Sequence, residues 1–96
     1  MPLYIFARFH ARASLEGPLY RALQEVVEAS RTESGCRFIY LYRSVRDAGL
    51  FFIHSEFGST EDFEIHAELP HVRKFLSVIP DLVDHELDVN RTERVY

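Results

Sequence analysis

The tightest constraint on this chain is that its strand-like segments are apolar on both faces. "LYIFARFHAR" (3–12) alternates Leu3, Ile5, Ala7 and Phe9 on one face with Tyr4, Phe6, Arg8 and His10 on the other, the two-residue period of a strand. "CRFIYLYRSV" (36–45) and "LFFIHSEF" (50–57) behave alike. Phe38 and Tyr40 oppose Ile39 and Leu41, and Phe52 opposes Phe51 and Ile53. A sheet built from such strands exposes a large apolar patch unless both faces are covered, and a patch of that kind marks an interface.

Helical segments supply one cover. Pro18 suits a first helical turn, and Leu19, Ala22, Leu23, Val26, Val27 and Ser30 follow at helical spacing. Gly35 is expected to stop this helix as a residue just past its C-terminus. In "RDAG", between the two middle strands, Gly49 is expected to take a positive φ. Ser59 with Asp62 three residues on resembles a capping box, so a short helix is predicted from Thr60. Pro70 opens a second piece, with Val72, Phe75, Leu76 and Ile79 on one stripe, and Pro80 ends it. "LVDHELDVNRTERV" (82–95) alternates Val83, His85, Leu87 and Val89 against Asp84, Glu86, Asp88 and Asn90, predicting a last strand with one wet face.

The order is βαββαβ, an α+β ferredoxin-like arrangement with its second helix broken in two, in one domain over residues 1–96. Helices in that topology cover one sheet face only. The other face therefore predicts a homodimer joined sheet against sheet.

Composition excludes several classes. A net charge of −4, with the 11 Lys and Arg scattered from Arg8 to Arg94, gives no concentrated basic face for nucleic acid. No apolar run approaches the ~20 residues of a membrane span, so no membrane partner is expected. "MPLYIFARFH" lacks the marks of a signal peptide, and the expected location is cytoplasmic. Cys36 is the only cysteine, which excludes an intrachain disulfide or a thiolate metal cluster. There is no glycine-rich dinucleotide fingerprint. No metal and no cofactor is expected.

Chemistry concentrates in "SEFGSTEDFEIHAELPHVRKF" (55–75). On the helix from Thr60, Phe63 must face the sheet. His66, three positions on, shares that side, while Glu61, Glu64 and Glu68 point outward. His66 is then either a packed core histidine or a titratable group facing a site. His71 falls in the first turn of the next helix, which disfavours the imidazolium form. His54 and Glu56 share a strand face with Phe52, and His85 goes with Val83 and Leu87. Because His66 belongs to the helical layer, these groups are not expected to converge on a metal.

The arrangement "SRTESGC" (30–36), a hairpin ending at Phe57, and His66–Ala67–Glu68–Leu69–Pro70–His71 resembles the antibiotic biosynthesis monooxygenase family, which includes quinol monooxygenases and haem-degrading relatives. The resemblance implies a dimeric α+β barrel with a pocket between sheet and helices. It also implies oxidation of a small electron-rich aromatic, of quinol or phenol type, by O₂ without metal or flavin. His66 is then the expected base. Phe9, His54, Phe57, Phe63, His71, Phe75 and Ile79 are the expected substrate contacts. Many members read Glu-x-Trp at the end of the third strand, where this chain reads Ser55–Glu56–Phe57. With no Trp, and Asn90 as the only Asn, haem degradation is not expected. A non-catalytic dimeric binding module, or another enzyme of the same fold such as an isomerase or lyase, remains open on these residues.

Overall fold

In the computed structural model, which describes residues 1–96, the chain runs β1 (Leu3–His10), α1 (Glu16–Ser30), β2 (Cys36–Arg43), β3 (Leu50–Phe57), α2 (Thr60–Glu68), α3 (Pro70–Val78), a single 3₁₀ turn (Ile79–Asp81) and β4 (Asp88–Thr92). The strands form one antiparallel sheet in the order β2-β3-β1-β4. This is the ferredoxin-like α+β arrangement. No helix is long and apolar enough to cross a membrane.

Strand parity divides the sheet into two unlike faces. Ile5, Ala7 and Phe9 of β1 lie beside Ile53 and Phe51 of β3 on the helix side and are buried. Leu19, Leu23, Val26 and Val27 of α1, with Val72 and Phe75 of α3, close over them in one core cluster. Leu19 and Leu23 lose all exposure, and a side chain so buried stabilises the fold by about 2–3 kcal/mol. The opposite face carries Phe6, Tyr40, Tyr42 and Phe52, and no helix covers it: Phe6 is 49 % and Tyr40 50 % exposed. Phe6 stacks on His54 at 4.4 Å, and Phe38 meets the same imidazole edge-on at 5.1 Å.

The helix break is built as its residues dictate. Ser59 Oγ accepts from the Asp62 backbone N–H at 3.1 Å and caps α2. Leu69 is extended at ψ 148°, as a residue before proline must be, and Pro70 then starts α3.

Three local expectations fail. Gly35 does not end α1, which stops at Ser30 and closes through the Arg31 N–H bond to Val27 O. Its role is close approach, since a Cβ there would lie 2.8 Å from the Asp62 Cβ. Gly49 does not use a positive φ, and no glycine does. Side chains hold that hairpin instead: Ser44 Oγ accepts from the Arg46 and Asp47 N–H groups, and Asp47 Oδ1 accepts from the Gly49 N–H. The last strand is five residues long rather than spanning 82–95. Val83 makes only an isolated bridge to Ala11. Beyond it, His85 Nε2 accepts from the His10 N–H at 2.8 Å, so an imidazole takes the place of a backbone partner and residues 84–87 leave the ladder.

Candidate functional site

Between the helix-side sheet face and the helices lies a cavity of about 290 Å³. Its floor is Phe9, Val26, Ser30, Ile39, Ile53 and Ser55, all buried. Its walls include Phe63 and His66 of α2 and Phe75 of α3. Leu76, Leu87, Val89 and Arg91 also line it yet stay exposed, so the mouth opens between α3 and β4. Of the 17 lining residues 13 are hydrophobic, and none is acidic. An apolar cavity with a few convergent polar groups is the usual form of a small-molecule site.

The titratable centre beside it is His66. Its ring packs against Phe57 at 4.7 Å and Phe63 at 5.5 Å, centroid to centroid, which fixes its plane. Nδ1 sits 3.0 and 2.9 Å from the two oxygens of Glu33, in the turn between α1 and β2. His71 Nε2 approaches the same carboxylate at 2.7 Å. The side chains of Glu33, His66 and His71 are only 9, 12 and 26 % exposed. An ionised carboxylate only accepts hydrogen bonds, so both imidazoles must turn an N–H toward it. For neutral His66 this puts the proton on Nδ1 and the lone pair on Nε2. Nε2 has no partner within the protein, and His66 lines the cavity, so this nitrogen is left unengaged beside it.

Glu33, His66 and His71 also offer donor atoms within 4.8 Å of one another, of the kind that hold zinc or ferrous iron. As arranged, each carboxylate–imidazole contact has hydrogen-bond length and a tautomer that satisfies it.

A second cluster lies at the far end of β1. His10 Nδ1 donates to Asp84 at 2.7 Å, and Nε2 lies 3.2 Å from Asp47. Hydrogen bonding to Asp84 holds His10 above its ordinary 6.5, and His10 in turn holds Asp84 below 3.8. Cys36, by contrast, is pushed up to about 11, first by burial and then by the nearby Glu33 charge. It stays a thiol and is a poor nucleophile.

The residues singled out from sequence distribute as follows. Phe9, Phe63, His66 and Phe75 meet at the cavity. Phe57 lies behind the His66 ring and does not line the cavity, and Ile79 is a core residue beneath it. His71 reaches the site only through Glu33. His54 is on the opposite sheet face, stacked on Phe6, and cannot touch a ligand in this cavity. Ser30, Ser55 and Arg91 are cavity-lining polar residues that sequence reasoning missed, and it also missed Glu33, which does not line the cavity but holds His66. Glu33 stands inside "SRTESGC" and faces a histidine 33 positions away, so no local pattern reveals the pairing.

Comparison with known proteins agrees with this geometry. The Mycobacterium tuberculosis protein Rv0793 superposes with a TM-score of 0.94 at 23 % identity, over 100 % of this chain and 97 % of its own. Pseudomonas aeruginosa PA3566 gives 0.91 at 24 %, over 99 % and 95 %. A structure described as an antibiotic biosynthesis monooxygenase gives 0.90 at 20 %, over 98 % and 99 %. At these identities the likeness is one of fold. No curated protein matches the sequence. The family model described as antibiotic biosynthesis monooxygenase matches residues 2–77, and the chain belongs to that family.

Proposed function

We propose that the chain is a homodimeric monooxygenase that oxidises a small quinol- or phenol-type aromatic with O₂ in the cavity between sheet and helices. The observation that carries this reading is a histidine of fixed tautomer at the wall of an apolar cavity, its free Nε2 backed by a buried carboxylate on Nδ1. Nε2 takes the proton from an aromatic hydroxyl, and Glu33 stabilises the imidazolium that forms. The phenolate is electron-rich enough to give one electron to O₂ directly. Superoxide and the aryloxyl radical then join at a ring carbon as a peroxide anion, which takes back the proton from the His66 imidazolium to become a hydroperoxide. Loss of water from it turns a ring C–H into C=O, so one oxygen atom enters the product and the other leaves as water. The protein supplies a base, orientation and an apolar cage, and no cofactor is called for.

The homodimer rests on the open face, where Phe6, Tyr40, Tyr42 and Phe52 form an apolar surface of the kind that monomers rarely leave in water. Oxygen consumption with a panel of hydroquinones, with and without protein, tests the activity. Uptake should rise with protein and fall by about 10²–10⁴-fold in a His66→Gln variant that melts normally, the span for losing a general base. No protein-dependent uptake would leave a binding module of the same fold. Full uptake by the folded variant would remove His66 from the chemistry.

A further inference from the structure

Ser30 closes α1 and is 0 % exposed. Its hydroxyl has no hydrogen-bond partner, the one buried side-chain oxygen or nitrogen in the chain left in that condition. Burying an unpaired hydroxyl costs about 1–3 kcal/mol, and an alanine in the same place would avoid the cost. Ser30 is one of the residues at the floor of the cavity, so a molecule seated against that floor is a source of the missing partner once the hydroxyl turns toward it.

The second observation is at the mouth. Arg91, on β4 beside Ile5, carries its guanidinium 4.9 Å above the Phe63 ring and lines the cavity rim. It forms no ion pair, whereas Arg37, Arg73 and Lys74 each hold a carboxylate. The chain has 15 acidic residues and a net charge of −4. None of those acids lines this cavity, and its one permanent charge is positive. Stacking on Phe63 preorients the planar fork, which matches a carboxylate by two parallel hydrogen bonds.

We infer that the ligand of this cavity is a two-ended aromatic acid, with a hydroxyl or carbonyl oxygen on Ser30 at the floor, a carboxylate on Arg91 at the mouth, and its ring between. The inference rests on the proposed use of this cavity as the substrate site and names the substrate class. Ser30 and Arg91 select and position the ligand, while His66 meets the ionisable hydroxyl.

The test is calorimetric titration at pH 7 and low salt with 6-hydroxy-2-naphthoate, its carboxamide, and 2-naphthoate, which lacks the hydroxyl. The native protein should bind the hydroxy acid about tenfold more tightly than the amide, as expected for one charge-assisted pair. Arg91→Gln should erase that preference by weakening only the acids. Ser30→Ala should weaken the hydroxy acid by about five- to tenfold, leave 2-naphthoate unchanged, and raise the melting temperature of the free protein. Equal binding of acid and amide overturns the inference, as does an Arg91→Gln variant that weakens both alike. So does a Ser30→Ala variant with no selectivity between hydroxylated and bare ring, or failure of every probe to bind. Each of these readouts is binding alone, so failure here together with protein-dependent oxygen uptake would remove the substrate class and leave the monooxygenase reading in place.

Discussion

Glu33→Gln replaces one carboxylate oxygen by an NH₂ group and should separate catalysis from packing. The carboxylate accepts from His66 Nδ1 at 2.9–3.0 Å and from His71 Nε2 at 2.7 Å. A glutamine keeps the size but has one oxygen and one NH₂ group. The Oε2 atom that His71 approaches at 2.7 Å also lies 2.9 Å from His66 Nδ1, so an amide oxygen in its place can accept from both imidazoles. What the substitution removes is the negative charge that stabilises an imidazolium. Hydrogen bonding is nearly conserved, so the stability change should stay within about 1 kcal/mol, the scale of one rearranged hydrogen bond. Turnover, by contrast, should fall toward the worth of the base, about 10²–10⁴-fold, because the imidazolium formed on proton uptake loses its counter-charge. Glu33→Ala differs: it strands two N–H groups and should cost about 2–4 kcal/mol. Oxygen uptake and melting temperature on the same preparations decide the matter. A Glu33→Gln protein with native melting and undiminished turnover would refute the role given to the Glu33 charge.

Three further outcomes follow from the geometry. His10 is held above 6.5, so its contribution to stability is present below that pH and fades as pH rises through the raised value; Asp84 is held below 3.8, so its contribution is present above that pH and fades as pH falls through the lowered value. The melting-temperature gap between native protein and His10→Asn should thus be widest at about pH 4–6.5 and narrow as pH rises beyond that window, and a gap that widens on the alkaline side would contradict the assignment. Cys36, pushed up to about 11 by burial, should react with iodoacetamide at pH 7 far more slowly than free cysteine, read by intact mass. Phe52→Asp places a charge on the open aromatic face and should shift sedimentation equilibrium toward monomer; an unchanged dimer would place the subunit contact elsewhere.

The elements were legible because burial imposes periods. Alternation in "LYIFARFH" assigns Ile5, Ala7 and Phe9 to the core and Phe6 to the open face. The helical stripe from Leu19 to Ser30, and the Ser59 and Pro70 punctuation, place α1, α2 and α3 where they occur. His54 shares parity with Phe52, which by itself assigns it to the face away from the cavity. What could not be read is whatever depends on distant partners. The alternation from Val83 to Val89 is regular, yet His85 exchanges a strand position for the His10 amide. Gly35 carries the signature of a helix stop but exists to let α2 approach. Ser30 looks like one more small residue on a helix face, and only the three-dimensional structure shows its hydroxyl without a partner at a cavity-lining position.

The pleat of β4 joins two surfaces that are otherwise separate. Val89 and Arg91 turn to the cavity mouth, while Asn90 lies opposite Phe6, on the side where a second copy is proposed to pack. The strand is only five residues long and is hydrogen-bonded on one edge, so both surfaces share one thin and compliant wall. A body that settles against Phe6 bears on the strand neighbour of Asn90, one residue from Arg91. By linkage, whatever factor association of the copies imposes on ligand affinity, a ligand held by Arg91 imposes on association. Apparent ligand affinity should then change as protein concentration passes through the subunit dissociation constant, although no ligand atom touches the interface.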